Sequence, residues 1–143
     1  MDLKKQQENI IDFIRTYYQE YLKEYGITTD FELTNDFIDF DRFKNDFIVF
    51  LEYDSVDFPQ SKFNDDCQQM TRIYLNIYLV LRNDTPLNLN DKLLNATSAF
   101  GQMINENYVD NFTSAAINKI DFFKYIEGNR NIVSSKIVLN IDN

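Results

Sequence analysis

The sequence predicts an α+β fold, a mostly antiparallel sheet packed by two helices in the order helix, strands, helix, two strands. Two stretches repeat their apolar residues at steps of three and four, the spacing of one helical face. Three others alternate apolar and polar residues at the two-residue period of a strand. The composition is 44% hydrophobic and 15% aromatic, rich enough to fill a core and too rich for a disordered chain. With 143 residues, the chain fits one domain over residues 1–143.

The first helix is read from Leu3 to Tyr25. Ile10, Phe13, Ile14, Tyr17, Tyr21 and Tyr25 share one face, and Tyr18 and Leu22 widen the stripe. Asp2 suits the N-cap, and Gly26 suits the left-handed turn that ends a helix. The tyrosine rings are expected to pack on the sheet with their hydroxyls at its wet rim. Two short strands, Phe31–Thr34 and Phe37–Phe40, are expected around the turn-prone pair Asn35-Asp36. A long strand follows at Phe47–Tyr53, with Phe47, Val49, Leu51 and Tyr53 on one face, and another at Thr71–Arg82, with Ile73, Leu75, Ile77, Leu79 and Leu81 aligned.

Between those strands, Asp54 to Met70 is polar, too long for a tight hairpin, and expected to project as a loop. Phe58 and Phe63 are large apolar groups within it. With Asp54 and Asp57 they are the candidate partner contacts, because loops carry recognition on a rigid scaffold. Residues 83–86 read as a turn. Asn90 is then expected to cap a second helix running to about Asn107, with Leu93, Leu94, Thr97, Phe100 and Ile104 on one face. Residues 108–118 fit either a helical turn or the approach to a strand. Ile120–Ile126 and Ser135–Ile141 form a closing hairpin around Glu127-Gly128-Asn129-Arg130.

Chemistry is thinly supplied. There is no His, the side chain most used for proton transfer, and no Trp. Cys67 is the only cysteine, so it has no internal disulfide partner, and the acids Asp65-Asp66 before it disfavour its thiolate. Gly26, Gly101 and Gly128 stand too far apart for a phosphate loop. Asp36, Asp39 and Asp41 could present oxygen to a hard cation, but they depart from the calcium-loop spacing and read more simply as a solvated edge. No catalytic residue, metal ligand or cofactor site is expected. The formal net charge of −9 opposes nucleic-acid binding unless positive charge gathers on one face, and no apolar run approaches a membrane span.

Taken together, the opening helix, the strands Phe47–Tyr53 and Ile73–Arg82 with the loop between them, the helix Asn90–Asn107 and the hairpin Phe122–Glu127 with Lys136–Ile141 resemble the tail terminator, or tail-completion, proteins of long-tailed bacteriophages. The resemblance lies in element order and size over nearly the whole chain. It implies a non-enzymatic structural protein that caps the tail tube as a ring, commonly a hexamer, ending tube growth and joining the tube to the head connector. The implied partners are other copies of the chain, the tail-tube protein and the head–tail connector protein, with no membrane and no specific nucleic acid. The implied location is the virion tail, assembled in the bacterial cytoplasm. The competing expectation is a small acidic protein-binding module of inhibitor or immunity type that covers a basic partner surface, with charge speeding encounter.

Overall fold

A computed structural model of the chain describes residues 2–35, 43–57, 72–112, 114–127 and 130–142, with the side chains of 125–127 and 130 left aside. Helix α1 (Leu3–Glu24) begins where the Asp2 carboxylate accepts the Lys5 N–H at 3.1 Å. It ends in a Schellman turn: Gly26 takes φ +78°, and the Ile27 N–H reaches back to the Leu22 carbonyl at 2.9 Å. Ile27 and Leu22 are both buried, closing the turn against the core.

Strands β1 (Phe31–Thr34), β2 (Phe47–Asp57), β3 (Arg72–Arg82), β4 (Ser114–Glu127) and β5 (Arg130–Asp142) form one sheet in the order β1-β2-β3-β5-β4. Every pair is antiparallel except β1–β2, which is parallel with Phe31 opposite Phe47. β5, last in the chain, lies inside the sheet between β3 and β4. The expected fold class and element order are therefore observed. The expected strand at 37–40 falls outside the described residues, and β1 is placed by its pairing with β2.

The register stacks apolar residues into continuous rows on one face. Leu51, Ile77, Ile137 and Ile120 form one such row, and Tyr53, Leu75, Leu139 and Ile117 the next. Burying each large aliphatic side chain stabilises by roughly 1.5–3 kcal/mol. Helix α2 (Pro86–Asn111) contributes Leu93, Phe100, Met103 and Ile104 to this core, and α1 contributes Phe13, Ile14, Tyr18 and Leu22. Both helices thus cover the same sheet face, making two layers. On the other face Ile48, Val80 and Ile132 form a smaller buried cluster with Phe43 and Tyr78 packed against it.

Several boundaries differ from the sequence reading, among them those of the closing hairpin, whose strands start at Ser114 and Arg130 rather than Ile120 and Ser135 because their pairing continues past the alternating apolar residues. Residues 54–57 belong to β2 rather than to a loop: Ser55, Val56 and Asp57 pair with Tyr74, Ile73 and Arg72 beyond a bulge at Asp54. The bulge shifts the alternation by one residue, so the polar run Asp54-Ser55 hides a continuing strand. The second helix starts at Pro86 and ends at Asn111. Thr85 is its cap, accepting the Asn88 N–H at 3.3 Å, and Pro86 sits in the first turn, where a missing N–H costs nothing. Asn90 is an interior residue. Tyr18 packs on the sheet as expected, but Tyr21 and Tyr25 reach to α2: Tyr21 donates to Glu106 Oε2 at 2.5 Å and Tyr25 to Gln102 Oε1 at 2.9 Å. Tyr18 is wholly buried, and its ring meets Phe31 and Phe100 at 5.3 and 5.4 Å.

Candidate assembly surface

Of the residues singled out from sequence, Asp54 and Asp57 are exposed on the far half of β2, with Asp54 at the bulge. Phe58 and Phe63 lie outside the described residues, as do Asp36, Asp39, Asp41 and Cys67. β1 pairs only with residues 47–50 of β2, so among the described residues Leu51–Asp57 has a neighbouring strand on the β3 side alone. This half-strand carries Glu52, Asp54 and Asp57, all exposed, and no cation. Glu52 also accepts the Asn76 side-chain amide at 3.3 Å.

The opposite edge is built differently. Among the described residues β4 pairs with β5 only, along its whole length, with a bulge at Asn118. The extra residue turns Asn118 toward Asn140, to whose Oδ1 it donates at 2.6 Å. Phe122 lies on the helix-covered face of β4 yet is 51% exposed. Its pairing partner Ser135 is buried, 2.9 Å from the Thr97 hydroxyl of α2, which in turn donates to the Leu93 carbonyl. Gly101 of α2 stands over Ile117 of β4; a Cβ there would lie 3.8 Å from its Cδ1. Leu87 and Leu94 precede Gly101 by fourteen and seven residues on α2. Leu87 and Leu94 are 71% and 47% exposed. Leu94, three residues before Thr97, stands within one helical turn of the level of Phe122. Leu87 and Leu94 on α2 and Phe122 on the edge strand are three exposed large apolar side chains.

Sequence reasoning missed the exposure of Phe122, and it grouped Leu94 with Leu93, Thr97, Phe100 and Ile104, which are buried where Leu94 is not. The available signal was the doublet Phe122-Phe123: in a strand, adjacent side chains point to opposite faces, so no single core can take both.

Charge follows the same division. β1 and β2 carry Glu32, Glu52, Asp54 and Asp57 with no Lys or Arg, a net of −4. β4 and β5 carry Lys119, Lys124, Arg130 and Lys136 against Asp121, Glu127 and Asp142, a net of +1. The +1 belongs to interior β5; the edge strand β4 carries two Lys against two acids and is neutral, whereas the β2 edge is acidic. Lys119 lies 3.4 Å from Asp121, and Lys124 is exposed. At one end of the sheet, Arg72 Nε donates to Asp142 Oδ1 at 2.7 Å. Arg72 holds the Asp142 carboxyl below the usual carboxylate range, helped by a hydrogen bond from Ser114.

Between α1 and the end of α2 is an open cleft of about 350 Å³ lined by Asn9, Asp12 and Thr16 on one side and Asp110 and Asn111 on the other, over Phe13 and Phe112. It offers hydrogen-bonding groups but no nucleophile beside a base. Among the described residues, no group of three His, Cys, Asp or Glu is placed to hold a metal ion, and no helix is long and apolar enough to cross a membrane. No protein-family model matches the chain, and no curated protein matches it.

Proposed function

We propose that this protein is a structural component of a phage or prophage tail, a terminator that sits as a ring on the last layer of the tail tube, stops its growth and presents a surface to the head connector. The observation that carries the reading is the pair of unlike edges at opposite ends of one sheet, one acidic and one neutral with the exposed ring of Phe122. A ring subunit needs two different, mutually complementary surfaces, because a head-to-tail contact repeats around a rotation axis until it closes. A monovalent inhibitor needs only one. The order helix, strands, helix, hairpin, on which the resemblance rests, supports the same reading.

The test is to add the purified protein to purified tail tubes with free tube subunits. Capping, seen as tubes that stop lengthening and carry an extra terminal ring in negative stain, is the expected result. Continued growth with no terminal density overturns the reading. Tight one-to-one binding to a basic protein, with no effect on tubes, would favour the inhibitor class.

A further inference from the structure

We infer that the free protein forms a dimer in which the β4 edges of two copies pair antiparallel about a two-fold axis at Ile120, setting Lys119 of each copy opposite Asp121 of the other. This goes beyond the assembly role proposed above and does not rest on it.

The edge itself is open. Among the described residues β4 pairs with β5 alone, so its other side has no neighbouring strand. The side chains of Lys119 and Asp121 are 65% and 38% exposed there. A bulge and a charged pair discourage pairing with an arbitrary strand, so the order of the charges selects the occupant. Lys119-Ile120-Asp121, met by its own copy in the antiparallel sense, is self-complementary: plus faces minus on both sides of the axis. Residues directly opposite in an antiparallel pair have Cβ atoms about 4.5–5.5 Å apart, nearer than the two-residue step between Lys119 and Asp121 along one strand. Each lysine, already 3.4 Å from its own Asp121, thereby gains a second carboxylate. Neighbouring registers lack this match. An axis at Asp121 or at Lys124 sets like charges opposite each other, and one at Phe122 sets Lys119, Asp121 and Lys124 opposite Tyr125, Phe123 and Ile120. An axis at Phe123 leaves Asp121 and Lys124 opposite Tyr125 and Phe122. With the axis at Ile120, the half-exposed Phe122 falls against the other copy's bulge, whose Ile117 shares its helix-covered face. Such a contact is isologous, each copy using the same patch. It holds the β4 edge back from any other strand until the copies separate.

The experiment is sedimentation equilibrium on full-length wild type, Lys119→Glu, Asp121→Lys, the double exchange of both, and a one-to-one mixture of the two single variants. Circular dichroism checks each variant for an unchanged fold. Wild type is expected to reach a dimer and stop there. Each single variant sets like charges opposite each other twice and is expected to dimerise at least about tenfold more weakly. The double exchange restores both pairs and is expected to recover dimerisation. The mixture is expected to form mixed dimers at least as well as wild type, although each chain's own Lys119–Asp121 pair is broken, which separates contact between copies from any effect of that pair within one chain. A wild type that stays monomeric at the highest concentration, or that assembles beyond a dimer, overturns the inference. So do single variants that dimerise like wild type, or a mixture that dimerises no better than its components. Tube capping, measured separately on wild type, keeps the two conclusions apart: capping by a protein that is monomeric when free removes the dimer and leaves the terminator reading, whereas charge-sensitive dimerisation without capping does the reverse.

Discussion

The Tyr18 hydroxyl donates a 2.7 Å hydrogen bond to the Ala96 carbonyl, joining the two helices at a point wholly shielded from water. The same ring meets Phe47 of β2 edge-on at 6.1 Å, so one side chain ties α1 to both α2 and the sheet. Tyr18→Phe keeps the packing and loses the bond, an expected cost of about 1 kcal/mol, whereas Tyr18→Ala opens a cavity and costs about 3–5 kcal/mol. Urea denaturation of both variants checks the two values. A Phe variant as unstable as the Ala variant would show that packing is not the larger contribution.

Burial also pushes the Tyr18 phenol well above its ordinary pKa. The unfolded chain ionises this group first, so its contribution is complete below about pH 10 and is lost as pH rises further. Tyr18→Phe is expected to lose less stability than wild type between neutral and strongly alkaline pH, measured as the change in urea midpoint.

Thr85, not Asn90, is the functional cap of the second helix. Thr85→Ala is expected to cost about 1 kcal/mol, and Asn90→Ala to change stability by no more than about 0.5 kcal/mol. Thermal melts of the pair distinguish the two boundaries.

Removing Arg72 should release the Asp142 carboxyl toward its ordinary pKa. Since the folded value is depressed, the stabilisation is present above about pH 4 and fades as pH falls through the folded value. Arg72→Gln is therefore expected to be less stable than wild type at neutral pH, with the gap narrowing in acid. Urea midpoints across that range test the sign; a gap that widens in acid contradicts it.

Phe122→Ser should change monomer stability by no more than about 1 kcal/mol, because half of the ring is already in water. Its main expected effect is weaker self-association, read by sedimentation at matched concentration. A large fall in melting temperature instead would make Phe122 a core residue.

The two-layer architecture was legible because most residues that build it obey a single period. Ile73 to Leu81 alternate without interruption, and Ile10 to Leu22 keep to one helical face. The errors fall where two signals compete. At Asp54 a bulge breaks the alternation, making paired residues read as loop. At Pro86 a residue that ends helices elsewhere opens one. The tyrosines declared an apolar face but not its partner, since a helix neighbour and a sheet neighbour ask for the same stripe. Most of the assembly surface was illegible for a related reason. Among the described residues, Glu52, Asp54 and Asp57 become an edge only when β1 stops at the level of Phe50, and Phe122 takes the helix-covered face only through its pairing with Ser135.

The place of β5 bears on how the molecule is made. The chain lays down β3, the second helix and β4 before it makes the strand that lies between β3 and β4. Until residues 130–142 leave the ribosome, β3 and β4 have no shared neighbour and the core lacks Ile137, Leu139 and Ile141. A copy cut short by a premature stop or by proteolysis before this strand therefore cannot position the β4 edge on the sheet. Pairing on both sides of β5 therefore closes in one step, when residues 130–142 insert and join the two halves of the sheet.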